Sequence, residues 1–135
     1  MRQAQARGRL TVNEVISGQG TDDDRQYEIT GRLYPVAAHA IYLVDAAYVL
    51  PEGERGPAWD ACVQVATTER QSRAIKRYEG QIVTLVGSIV GISIHDDRAP
   101  GTIKFHGKQA IFLDCQYPYD GEVAPVINLE SWKQP

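Results

Sequence analysis

From Tyr27 onward, apolar and polar side chains alternate. In YEITGRLYPV, Tyr27, Ile29, Gly31 and Leu33 fall on one face and Glu28, Thr30, Arg32 and Tyr34 on the other. That is the period of a half-buried strand. Pro35 ends the run, because proline has no N–H to give a central ladder. AIYLVDAAYVL reads as a second strand bent around Asp45 and Ala46, and PEGERGP at 51–57 as a turn. AWDACVQVAT reads as a third, with Trp59, Ala61, Val63 and Val65 alternating with Asp60, Cys62, Gln64 and Ala66.

The period changes at 67–80. In TTERQSRAIKRYEG, Ala74, Ile75 and Tyr78 are spaced for one helical stripe. Thr67 or Thr68 suits the N-cap, Glu69 the first turn, Lys76 and Arg77 the last turn, and Gly80 the position after the helix. QIVTLVGSIVGISI then returns to β-branched residues, too interrupted by glycine for a long helix. HDDRAPGTIKFHGKQ reads as a polar loop and AIFLDCQY as the last strand.

The ends are less patterned. MRQAQARGRL has no apolar period, TVNEVI fits a short helix or strand, and SGQGTDDDRQ (17–26) is rich in turn formers. The chain thus divides into an N-terminal arm and acidic loop (1–26), a β body (27–117) and an extended C-terminal arm (118–135). Leu129 and Trp132 of that last arm are expected to dock on the body.

Three strands, a helix and two strands within about 95 residues is the order of the OB-fold, a five-stranded Greek-key barrel with its helix between strands three and four. The predicted class is therefore all-β with one helix. Gly31 and Gly87 sit within strands, where glycine commonly marks the bend of a small barrel. The run ITGRLYP, IYLVD, YEGQIVTLVGSIVGI, IFLDC resembles small single-domain bacterial OB-fold proteins over residues 27–117. YEGQIVTLVG is its most specific stretch. Such a resemblance implies the barrel and does not transmit a function. A small SH3-like or lipocalin-type barrel is the alternative architecture.

Composition bounds the partners. Seventeen acidic residues against 14 basic ones leave a net charge of −3, which disfavours coating nucleic acid by bulk charge. No apolar run approaches the roughly 20 residues of a membrane helix. The charge is uneven: residues 69–78 carry four basic side chains and one acidic, while 26–68 and 109–135 are each net acidic. Arg70, Arg73 and Arg77 share one helical face, either a solvated surface or a stripe for an acidic partner.

Candidate chemistry is sparse. Cys62 and Cys115 fall on strands expected to lie side by side, so they form either a disulfide or two separate core thiols. Free thiols fit a cytoplasmic chain, and a disulfide fits a periplasmic one whose signal peptide was removed. Asp22, Asp23 and Asp24 lack the alternate spacing of a calcium loop. His95, Asp97 and His106 lie in one polar stretch without ligand spacing, so no metal, cofactor or catalytic residue is expected. OB domains usually hold oligonucleotides across strands two and three. Here that region offers Arg32, Tyr34, Tyr42, Trp59, Lys104, Phe105 and Lys108, with Asp45, Glu52, Glu54 and Asp60 nearby to repel phosphate. The expectation is a non-enzymatic binding module with a protein partner, or alternatively a binder of single-stranded DNA or RNA.

Overall fold

The structure is a computed structural model that describes residues 8–53, 60–93, 102–111, 115 and 123–133. Strand β1 (Gly8–Thr11) leads into helix α1 (Val12–Ile16). Thr11 caps α1 in a reciprocal box: its hydroxyl accepts from the Glu14 amide at 3.0 Å, and the Glu14 carboxylate accepts from the Thr11 amide at 2.8 Å. Val12 and Val15 are fully buried. Residues 8–16 therefore belong to the body and do not form a free arm. The class is all-β, but with a second short helix that the polar N-terminal pattern did not resolve.

Five strands make the barrel: β2 (Tyr27–Ala37), β3 (Ala40–Val44), β4 (Cys62–Ala66), β5 (Ile82–Ser93) and β8 (Val123–Lys133). Their order is β2-β3-β4-β8-β5, and β5 pairs back to β2 to close the ring. Every pairing in that ring is antiparallel except β4 with β8, which is parallel. This is the OB-fold arrangement. Helix α2 (Glu69–Ile75) lies between the third and fourth barrel strands in the chain, and a 3-10 turn (Lys76–Tyr78) extends it. Ile29, Leu33, Ile41, Leu43, Val63, Val65, Leu85, Ile89, Ile127 and Leu129 fill the interior together with Val12, Val15 and Ile75.

Gly31 and Gly87 are the corners. At Gly31, β2 passes from its pairing with β1, which ends at Thr30, to its pairing with β3, which begins at Arg32. A Cβ there would collide with the Val44 carbonyl oxygen. At Gly87, the β5–β8 register shifts through a bulge, and a Cβ would collide with the Asn128 carbonyl oxygen.

The fifth barrel strand is β8, not AIFLDCQY. Residues 123–133 are thus a barrel wall and not an arm. Pro125 is tolerated because pairing with β4 begins only at Val126, so one flank of the proline carries no described ladder. Pro35 likewise sits where the β2–β3 register shifts, and β2 continues past it to Ala37. A hairpin, β6 (Thr102–Phe105) and β7 (Lys108–Ile111), spans the end of the predicted polar loop and the first two residues of AIFLDCQY. His106 and Gly107 turn it with φ of 49° and 76°, as a two-residue turn matching strand twist requires.

Candidate functional site

The face of strands two and three is occupied by the protein itself. β3 and β4 are buried on both faces: Ile41, Leu43, Val63 and Val65 point into the barrel, while Tyr42, Val44 and Cys62 form a separate outer cluster with Cys115. The hairpin closes over this outer side. Thr67 and Gln109 exchange backbone hydrogen bonds of 3.0 and 2.8 Å, the Ile111 amide donates to the His39 carbonyl at 2.8 Å, and Gln64 donates from Nε2 to the Ile111 carbonyl at 3.2 Å. Beneath the hairpin, Ala66, Ala110, Ala124 and Val126 pack with Ile92, Ile103 and Phe105.

The predicted ligand-binding residues are consequently dispersed. Tyr42 is buried, with Tyr34 packed beside it across the β2–β3 pair. Arg32 donates from Nη1 to the Gly80 carbonyl at 2.7 Å and so braces the turn into β5. Phe105 belongs to the hairpin's own packing. Lys108 is largely buried and donates to Asn128 Oδ1 at 2.6 Å and Glu130 Oε2 at 2.8 Å. Lys104 is exposed. Trp59, Glu54, His95 and Asp97 lie outside the described residues. The Tyr-rich outer face that composition suggested for stacking bases is therefore a packed interior layer. The missed signal was Phe-His-Gly-Lys between alternating residues, a hairpin turn in what reads as a polar loop.

The basic helix and Trp132 do come together. Thr68 caps α2: its hydroxyl accepts from the Gln71 amide at 3.1 Å, and Gln71 Oε1 accepts from the Thr68 amide at 2.9 Å. The same Gln71 side chain donates from Nε2 to the Leu129 carbonyl at 3.1 Å, tying α2 to β8. Ser72 and Ile75 face inward, and Ser72 Oγ accepts from the His39 amide at 3.2 Å. These contacts fix the rotation of α2, so Arg70, Arg73 and Ala74 face outward. Ala74 is exposed, although the helical stripe placed it inside.

Between α2 and β8 runs an open groove of about 350 Å³, walled by Arg70, Gln71, Ala74, Glu130, Ser131 and Trp132. Trp132 is half-buried against the core and supplies its apolar wall. Arg70 has no ion-pair partner among the described residues. Arg73 pairs with Glu69 at 2.7 Å, and the Arg77 guanidinium lies 6.0 Å from the Tyr78 ring centroid. Glu130 on the far wall is compensated by Lys108.

A second cleft of about 430 Å³ is walled by Arg9, Leu10, Thr11, Glu14, Glu28, Thr30, Asp45 and Thr84. Several of its polar groups are already engaged, by one another or by neighbours outside the cleft. The Thr30 and Thr84 hydroxyls bond at 2.7 Å, Glu28 accepts from Lys133 at 3.0 Å, Glu14 serves the α1 cap and Asp45 accepts from the Ala47 amide at 2.9 Å. The acidic loop is likewise internally engaged. Asp22 accepts from the Gly91 amide at 3.0 Å, and the Tyr27 hydroxyl donates to Asp23. That bond holds the Asp23 carboxyl below its ordinary range and, reciprocally, pushes the Tyr27 phenol up.

Cys62 and Cys115 are joined by a disulfide with Cα atoms 5.7 Å apart. The neighbourhood differs from the one expected, since Cys115 lies between β7 and β8 and not on the fifth strand. No helix among the described residues is long and apolar enough to cross a membrane. Comparison with known proteins finds no matching family model, no matching curated protein and no matching solved structure.

Proposed function

We propose that this chain is a non-catalytic OB-fold binding module whose partner is a protein, held in the groove between α2 and β8. One observation carries the reading: the exposed cation Arg70 and the apolar pair Ala74 and Trp132 line one open groove, while the chain's own hairpin fills the face that OB domains commonly present. An apolar floor beside a charged rim suits protein recognition. Single-stranded nucleic acid is disfavoured, because Tyr42 and Phe105 are committed to packing and Lys108 to Asn128 and Glu130. The Cys62–Cys115 bond supports an oxidising compartment, the periplasmic alternative, over the cytoplasm.

The test compares partner recovery by the full chain, by Ala74→Glu in the groove and by Val49→Glu at an exposed site outside it. Ala74→Glu is expected to lose a protein that the other two retain. Recovery with all three refutes the groove. A fluorescent oligonucleotide titrated at low salt is expected to give a flat response, and tight binding that weakens steeply with salt would instead establish the nucleic-acid reading.

A further inference from the structure

The groove's chemistry narrows its occupant, on the reading just given that the groove binds protein. α2 and the turn after it carry Arg70, Arg73, Lys76 and Arg77, all exposed, against a single acid, Glu69, which is already engaged by Arg73. Arg70 stands about one helical turn before Ala74 on the groove wall, and Arg77 follows in the 3-10 turn beyond the walls, with its guanidinium beside the Tyr78 ring. Of the two charges the groove walls hold, Glu130 is neutralised by Lys108, which leaves Arg70 as the uncompensated one. The rest of the protein is net acidic, so this side is a local positive field on a negative body. The apolar component is small: one exposed methyl, Ala74, beside one half-buried indole, Trp132. Such a recess admits a single side chain, not the broad apolar face of a folded domain.

We infer that the α2–β8 groove binds a short acidic peptide segment, with one aliphatic or aromatic side chain anchored between Ala74 and Trp132 and carboxylates directed at Arg70 and Arg77. The anchor supplies affinity through buried apolar area, and the carboxylates supply register and rate of encounter. Nothing in the groove is specific for phosphate oxygens over carboxylates, but the uniform spacing of an oligonucleotide backbone would bring further phosphates against the acidic body. An acidic peptide with neutral flanks avoids that repulsion.

The experiment pans a random 12-residue peptide library against the intact, oxidised full chain at low salt. Clones are then rescreened on the Arg70→Glu/Arg77→Glu double variant and on Ala74→Trp, which fills the groove. Both substitutions are at exposed positions, and circular dichroism and thermal melting check that each variant is folded. The expected pool is net acidic with one Leu, Phe or Trp. Its binding should fall about tenfold or more on the charge-reversed variant, and should weaken as salt rises from about 0.05 to 0.5 M. Neutral or basic peptides that lose binding to Ala74→Trp overturn the acidic occupant while leaving the groove as a protein site. Acidic peptides that bind all forms equally overturn both, as does a library that yields no enrichment.

Discussion

Breaking the Cys62–Cys115 bond while leaving every other atom in place isolates what the bond contributes. The two residues are 53 positions apart, and the loop between them contains α2, β5 and the β6–β7 hairpin. A cross-link closing a loop of that length lowers the entropy of the unfolded chain by an amount worth about 4 kcal/mol at 25 °C. Little in the folded state offsets it, since Cys62 and Cys115 are buried beside Tyr42 and Val44 and pack as small apolar groups whether bonded or reduced. A domain of this size is stable by about 5–15 kcal/mol in all, so the bond accounts for a large share. Chemical denaturation of the oxidised chain and of the same chain held reduced by a phosphine should therefore give midpoints that differ by that energy. By melting, the gap is roughly 10–15 °C. Intact mass with and without alkylation establishes the redox state of each sample. A difference below about 1 kcal/mol in samples so verified refutes the loop-entropy argument. Two alkylatable thiols in protein isolated without reductant refute the bond itself.

Two further predictions follow from single residues. Gly31→Ala and Gly87→Ala each drive a methyl into a backbone carbonyl oxygen and should cost about 3 kcal/mol or more in denaturation. Gly80→Ala has open space around it and only the left-handed φ of 76° to oppose it, so it should cost about 1–2 kcal/mol. Equal losses at the three positions would contradict the barrel corners. The Tyr27–Asp23 bond should give stability a dependence on both extremes of pH. Asp23 is shifted down on folding, so its contribution is present above the ordinary carboxylate range and is lost as pH falls through the lowered value. Tyr27 is shifted up, so its contribution is present below about pH 10 and is lost as pH rises through the raised value. The melting-temperature gap between the native chain and Tyr27→Phe should be level from about pH 5 to 9 and shrink at both ends. A gap unchanged at pH 3 would show that the bond carries no proton linkage.

Much of the barrel was legible because its signals are local. Period-two alternation placed β2 and the inward residues of β4, the capping residues bounded α2, and Gly31 and Gly87 marked the bends. Each signal depends on a few neighbouring dihedrals and on which face of one element is apolar. Element order then pointed to the Greek-key class, since few topologies accept a helix between the third and fourth of five short strands, although it took AIFLDCQY for the fifth strand in place of β8.

What tertiary structure alone decided lies between elements. Pro125 made the last strand look like an arm, because the cost of a missing N–H depends on whether a neighbour pairs there, and β4 begins pairing one residue later. Tyr42 and Phe105 have the composition of a base-stacking surface, yet alternation cannot tell a side chain facing water from one packed against Cys115, as Tyr42 is, or one turned inward from a hairpin, as Phe105 is. The groove arises from Gln71 reaching Leu129 across 58 residues of chain, which brings Arg70 and Trp132 to one site. The amino-acid order by itself indicated an all-β barrel with one helix between its third and fourth strands, and a positive helix on an acidic chain. Only the packing of the hairpin and of β8 decided which faces of them meet solvent, because burial is a property of pairs of elements and local patterning describes one element at a time.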